Sequence, residues 1–81
     1  MNSFSDHLCE VIALESGLSL QEVSGADGLM STGILDSFAL VTVITLVETH
    51  LGREVSADDL TFENFDSVQA ICGFVGRVHA R

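Results

Sequence analysis

The stretch Asp36-Ser37-Phe38-Ala39-Leu40-Val41-Thr42-Val43-Ile44-Thr45-Leu46-Val47-Glu48-Thr49-His50-Leu51-Gly52 decides the fold. It opens on a residue whose side chain accepts hydrogen bonds from the first free N–H groups of a helix. It closes on glycine, which ends helices in the left-handed conformation. Between these signals Leu40, Val43, Ile44, Val47 and Leu51 follow the spacing i, i+3, i+4, i+7, i+11, a single apolar stripe at the helical period. The pattern predicts a helix from about Asp36 to Leu51 with that stripe turned inward. A second strip, Phe38, Val41 and Thr45, runs beside it and continues to Glu48 and Thr49. With the first stripe buried, the second is partly exposed, and contiguous apolar surface on a protein exterior marks a contact site. The alternative is a short helix wrapped on two sides by its neighbours.

Working toward the N-terminus, residues 18–36 lose periodicity. Ser24-Gly25-Ala26-Asp27-Gly28 and Ser31-Thr32-Gly33 punctuate isolated apolar residues Leu18, Leu20, Val23, Leu29, Ile34 and Leu35. The reading is a long loop between the first two helices, pinned by its own apolar side chains. Before it, Phe4, Leu8, Val11, Ile12 and Glu15 lie on one stripe of a helix over residues 3–16, with Asn2 or Ser3 as its cap and Gly17 as its stop. Toward the C-terminus, Ser56-Ala57-Asp58-Asp59 has the spacing of a capping box. It predicts a short helix or turn from Ala57 to about Phe62, with Phe62 and Phe65 in the core. Asp66-Ser67 then opens a last helix carrying Val68, Ile71, Cys72, Val75 and Val78. The fold class is all-α, with three principal helices and one short one.

Composition limits what such a domain can do. Its 81 residues carry 12 acids against three arginines and no lysine, a formal charge of −9. Binding to nucleic-acid phosphates or anionic lipid needs a basic footprint, which three scattered cations do not make. A chain this short buries only about 60–65% of its unfolded surface, leaving little room for an enclosed catalytic cavity. The 47% hydrophobic fraction argues for a folded core rather than acidic disorder. Cys9 and Cys72 stand alone in apolar helical stretches and read as inert buried thiols. The segment Met1–Asp6 lacks the regions of a secretion signal, and no apolar run approaches the ~18 residues of a membrane span. The expectation is a cytoplasmic protein with reduced cysteines.

Familiar catalytic and metal patterns are not met. Ser37 lacks the flanking glycines of a nucleophile elbow. His7, His50 and His79 share no ligand spacing. An EF-hand starting at Asp27 would place Leu29 and Phe38 where oxygen ligands belong. What remains is Asp36-Ser37 at a helix start, after a long loop and before the exposed strip. A phosphodiester on Ser37 would lie where the helix N-terminus best tolerates an anion. The competing reading is a plain helix start on an unmodified interaction module.

Gly33-Ile34-Leu35-Asp36-Ser37-Phe38, the amphipathic helix ending in Glu48-Thr49-His50-Leu51-Gly52, the Val55 that follows and the Asp66-Ser67-Val68 opening of the last helix together resemble an acyl carrier protein. The resemblance runs from the first helix to about Val78. It implies a four-helix bundle forming a single carrier domain over residues 1–81, monomeric and with no catalytic residue or metal of its own. It implies that Ser37 receives 4′-phosphopantetheine from coenzyme A through a separate phosphopantetheinyl transferase, and that the arm's terminal thiol holds cargo as a thioester. In that setting Asp36 caps the helix and helps the transferase and its metal ion engage the serine. Leu35, Phe38, Val41, Thr45 and Glu48 form the contact strip for partners. Those partners are an adenylating or acyl-transferring enzyme that loads the arm, and condensing or tailoring enzymes that use the cargo. A flexible arm lets one cargo visit several active sites at high effective concentration.

The chain departs from carriers of primary fatty-acid synthesis, whose second helix is strongly acidic. Here that helix holds only Glu48 after Asp36, and Thr42, Thr45 and Thr49 stand outward. It also lacks the Gly-Gly-His-Ser or Gly-Gly-Asp-Ser of multimodular peptide synthetases. The run Gly33-Ile34-Leu35-Asp36-Ser37 looks more like free-standing carriers of an activated amino acid or specialised acyl unit, D-alanyl carriers included. The expected role is a stand-alone carrier in secondary metabolism of polyketide or nonribosomal peptide type.

Overall fold

Asp36 and Gly52 bound the central helix, as their side-chain chemistry predicts. In the computed structural model, which describes residues 3–79, this helix runs Ser37–Leu51. The Asp36 carboxylate accepts the Ala39 N–H at 2.8 Å, and Gly52 adopts φ 73° while donating its N–H to the Glu48 carbonyl. Numbered in chain order, the α-helices are α1 (Phe4–Ser16), α2 (Leu20–Gly25), α3 (Ser37–Leu51), α4 (Phe62–Phe65) and α5 (Val68–His79), with a 3₁₀ turn at Ala57–Asp59. Among the described residues there is no strand, only an isolated antiparallel bridge between Asp27 and Ser67. The chain is all-α, with α1, α3 and α5 as its three long helices.

Ser3 caps α1 by accepting the Asp6 N–H; the alternative cap, Asn2, lies outside the described residues. Leu8, Cys9 and Ile12 of α1 meet Val43 and Val47 of α3 and Ile71, Phe74, Val75 and Val78 of α5 in one core. Two details of the predicted stripes change. On α3 the deepest residues are Ala39, Val43 and Val47, whereas Leu40, Ile44 and Leu51 are half-buried. The small Ala39 lets the first turn lie close to the core. On α5 the core gains Phe74, whose ring lies 5.6 Å from that of Phe65, while Cys72 is half-buried. Burial pushes the Cys9 thiol up, with smaller contributions from Cys72 and Asp6, so this thiol stays protonated and unreactive at neutral pH.

Three segments differ from expectation. Residues 18–36 are not a continuous loop, because α2 occupies Leu20–Gly25, and the irregular connection shortens to residues 26–36. A reciprocal pair of hydrogen bonds starts α2, Glu22 N–H to Ser19 Oγ and Ser19 N–H to Glu22 Oε1, and Val23 anchors it in the core. After Ser56 the chain takes the turn rather than the helix, and that turn ends at Asp59, short of Phe62. Ser56 Oγ accepts from Asp58 N–H, a tight local turn, and the chain breaks at Leu60 before Thr61 caps α4. Phe62 is not in the core. It stands at the first position of α4, 59% exposed, while Phe65 is buried at 1%. A single helical turn has only one face to turn inward. The last helix starts at Val68, with Ser67 Oγ accepting the Ala70 N–H. Arg53 donates to the Val78 carbonyl at 2.7 Å, closing the C-terminal turn of α5 against the end of α3.

Candidate functional site

Ser37 is the first residue of α3, and its position follows from the division of labour with Asp36. Asp36 takes the capping role, through its side chain to Ala39 N–H and through its carbonyl to Leu40 N–H at 2.9 Å. Ala39 and Leu40 are thereby satisfied. The N–H groups of Ser37 and Phe38 stay among the unpaired donors that every helix start exposes, and they carry the positive end of the helix dipole. The Ser37 side chain is exposed and takes no part in the cap. Its hydroxyl can be esterified without breaking a helix-starting hydrogen bond.

The loop in front of the serine is built by convergence on Asp66. The Leu29 N–H donates to the Asp66 carbonyl at 2.6 Å. The Met30 and Ser31 N–H groups donate to Asp66 Oδ1 at 2.8 and 3.0 Å, and Ser31 Oγ donates to Oδ2 at 2.9 Å. These hydrogen bonds, led by that from the Ser31 backbone, hold the Asp66 carboxyl below the usual carboxylate range, against an opposing desolvation effect. Thr32 closes a turn onto the Gly28 carbonyl through both its N–H and its hydroxyl. Gly33 follows at φ 82°, a conformation that side-chain-bearing residues rarely adopt, and a Cβ placed there would meet nothing within 4 Å. The Leu35 N–H returns to the Leu29 carbonyl at 2.8 Å, one residue before the cap. Ser37 is exposed beside the free donors at the start of α3. A serine-linked phosphodiester fits there. The arrangement offers an unhindered hydroxyl, partial positive charge from the helix start and no steric cover.

Of the residues expected to meet partners, Phe38 and Val41 are 82% and 63% exposed, and Thr45 is exposed on the same face. The α3 threonines do not present their hydroxyls as polar handles. Thr42, Thr45 and Thr49 donate to the carbonyls of Phe38, Val41 and Thr45, one helical turn back. Their donor capacity is spent on the helix, so the strip is more apolar than its composition suggests. Leu35 does not belong to this surface. It is 4% exposed and packs in the core with Leu29, because its N–H is drawn inward to the Leu29 carbonyl. Glu48 is half-buried, with Oε2 accepting the Val55 N–H at 2.8 Å, so one of its oxygens serves the turn after α3.

His50 and His79 lie with ring centroids 6.2 Å apart, and Phe4 stacks on His50 at 4.3 Å. Among the described residues no group of three His, Cys, Asp or Glu side chains is placed to hold a metal ion. Among them, too, no helix is long and apolar enough to cross a membrane. Asp66 is the site residue that sequence reasoning missed. Asp66-Ser67 reads locally as a helix start, and its contacts with the loop span 35 and 36 positions.

Comparisons with known proteins agree with this geometry. Residues 6–75, a span that contains Asp36 and Ser37, match the family described as "Phosphopantetheine attachment site". The chain is 34% identical over 70 residues to "Polyketide synthase 2" of Metarhizium robertsii, an alignment that covers 84% of this chain and 3% of that protein. It therefore corresponds to a small fraction of that relative's length. No solved structure matches it significantly. Helical architecture, a bare hydroxyl at the start of α3 and a family match along most of the chain converge: the protein belongs to the phosphopantetheine attachment site family, carrier domains that bear a 4′-phosphopantetheine prosthetic group.

Proposed function

We propose that Ser37 is the attachment residue and that the chain presents an acyl cargo, held as a thioester, to the enzymes of a polyketide-type secondary pathway. The observation that carries this reading is the exposed Ser37 hydroxyl at the first position of α3, left out of the cap by Asp36. In the attachment step the Ser37 oxygen forms a bond to the pantetheine-side phosphorus of coenzyme A. The pyrophosphate P–O bond breaks, adenosine 3′,5′-bisphosphate leaves, and the hydroxyl proton passes to a base on the transferase. When bound, the arm supplies a terminal thiol for acyl transfer. The chain's own residues hold and present it. Asp36 fixes the start of α3, the unpaired Ser37 and Phe38 N–H groups would favour a phosphodiester on Ser37, and Gly33 supplies the left-handed bend that leads into the helix. Between the two cargo classes weighed above, the similarity to a polyketide synthase supports the polyketide-type acyl unit over an amino acid.

The deciding experiment is incubation with coenzyme A and a broad-specificity phosphopantetheinyl transferase, followed by intact-mass measurement. A gain of one phosphopantetheine group is expected; a folded sample that gains nothing overturns the reading. For the cargo, the holo protein is expected to accept malonyl-type groups from an acyltransferase. Charging only by adenylating enzymes with ATP and amino acids would reverse that choice.

The partner surface in this proposal is the strip Phe38, Val41 and Thr45. Because it is apolar and its threonine donors are turned inward, partner affinity should depend only weakly on salt. Phe38→Asp is expected to leave stability within about 0.5 kcal/mol of wild type, as surface substitutions do. It should slow acyl transfer to and from partners by about tenfold or more, through loss of an exposed aromatic anchor. Circular dichroism and partner-transfer kinetics check the two halves. A collapse of helical signal would make Phe38 a core residue instead.

A further inference from the structure

We infer that Asp66 is a positioning residue for the modification of Ser37, holding the loop that leads into α3 through a fixed post between α4 and α5. This rests on the reading of Ser37 as the attachment residue. Three consecutive backbone N–H groups, those of Leu29, Met30 and Ser31, all end on Asp66, and the Ser31 hydroxyl joins them. A concave run of N–H groups closing on an acidic residue is an anion nest filled from within the chain. The post itself cannot shift easily, because Asp66 sits between Phe65 at 1% exposure and Val68 at 4%, both in the core. The bridge between Asp27 and Ser67 ties the same two segments two residues before Leu29 and one after Asp66. From the latched residues the Leu35 N–H to Leu29 carbonyl bond carries the position forward to Asp36 and Ser37.

The consequence is kinetic rather than chemical. A transferase must engage the start of α3 and the bend at Gly33 together. With the latch closed, that segment has one arrangement. With it open, residues 26–36 retain the core anchors Leu29 and Leu35 and the Leu29 bond to the Asp66 main-chain carbonyl but lose the three hydrogen bonds to its carboxylate, and the competent arrangement becomes a fraction of the population. Apparent affinity falls by that fraction while the rate of the bound complex is unchanged. Asp66→Ala, which removes both carboxylate oxygens and with them all three side-chain bonds, is therefore expected to raise the KM for the carrier in the transferase reaction by roughly three- to tenfold, with kcat changed less than twofold. Ser31→Ala, which removes the Oγ to Oδ2 bond alone at an exposed residue, should raise KM in the same direction and by less.

The latch also has a pH signature. The folded carboxyl is held below its usual range, so its stabilising effect is fully present above the unfolded value and is lost as pH falls through the depressed folded value. Asp27 and Glu63 are the other carboxylates lining the hollow beside Asp66. Amide exchange at Met30 and Ser31, corrected for its intrinsic pH dependence, should show loss of protection in strong acid in wild type. In Asp66→Ala, which has no side-chain acceptor, protection should be low at every pH; Asp27 and Glu63 are unchanged there and cannot produce the difference.

The test is transferase kinetics with the carrier as the varied substrate, for wild type, Asp66→Ala, Ser31→Ala and Ile71→Val. The last is a core substitution on α5 chosen to lower global stability while leaving every hydrogen bond to Asp66 in place. The inference holds if KM rises in the first two variants and not in Ile71→Val. It is overturned if KM is unchanged in both Asp66→Ala and Ser31→Ala, or if Ile71→Val raises it equally. Failure of the underlying reading looks different: wild type would then gain no mass, whatever the state of the latch.

Discussion

Ser37→Ala is expected to abolish phosphopantetheine attachment completely while leaving the fold intact. The two halves of that expectation have separate causes. Attachment is lost because alanine has no oxygen to form the phosphate ester. The fold persists because Ser37 is exposed and holds no helix-starting hydrogen bond, both capping contacts belonging to Asp36. Alanine is also the better helix former, by a few tenths of a kcal/mol, so the thermal midpoint should stay level or rise slightly. The neighbouring position behaves oppositely. Asp36→Ala removes the cap and should cost about 1 kcal/mol, yet leave a hydroxyl that can still be modified. Intact mass after incubation with coenzyme A and a transferase, paired with a thermal melt, separates the two. Residual mass gain in folded Ser37→Ala would move the attachment point to another hydroxyl and take the proposed function of this residue with it.

How legible these features were in the sequence depended on the range of the interaction that sets them. The bounds of α3 were readable, because Asp36 and Gly52 act on N–H and C=O groups within one helical turn. So was the exposed Phe38 and Val41 strip, which periodicity alone places off the buried face. Helix α2 was missed because six residues with Leu20 and Val23 as the apolar members give too short a window for a period. Its signal was nevertheless present in Ser19-Leu20-Gln21-Glu22, which has the spacing of a capping box. At Ser56-Ala57-Asp58-Asp59 the same spacing left helix and turn both open, and the structure forms the turn. Leu35 illustrates the limit. An apolar residue at a loop edge can point either way, and it is the hydrogen bond to Leu29 that draws it into the core. The convergence of Leu29, Met30 and Ser31 on Asp66 depends on tertiary packing of α4 against α5, and no local pattern announces it.

Phe65→Ala is expected to have the largest effect on stability, for reasons that tie the core to the site. Phe65 is the buried residue of α4, a helix of four residues that has no other anchor of comparable depth. Its ring packs on Phe74 of α5 at 5.6 Å, so truncation removes an aromatic pair together with the apolar burial. Phe→Ala changes in cores cost about 3–5 kcal/mol. A domain of 81 residues has a total stability of about 4–12 kcal/mol at the usual figure per residue, so a large share is at stake. The loss should also reach the loop, because Asp66 follows Phe65 directly and takes its position from it. Chemical denaturation with amide exchange measures both consequences. Protection at Met30 and Ser31 should fall by more than the global loss accounts for, while the α1 and α3 amides around Ile12 and Val43 track global unfolding. A destabilisation below about 1 kcal/mol would mean that α5 and the loop hold without α4. In that case the post between Phe65 and Val68 would have to draw its rigidity from Val68 and α5 alone.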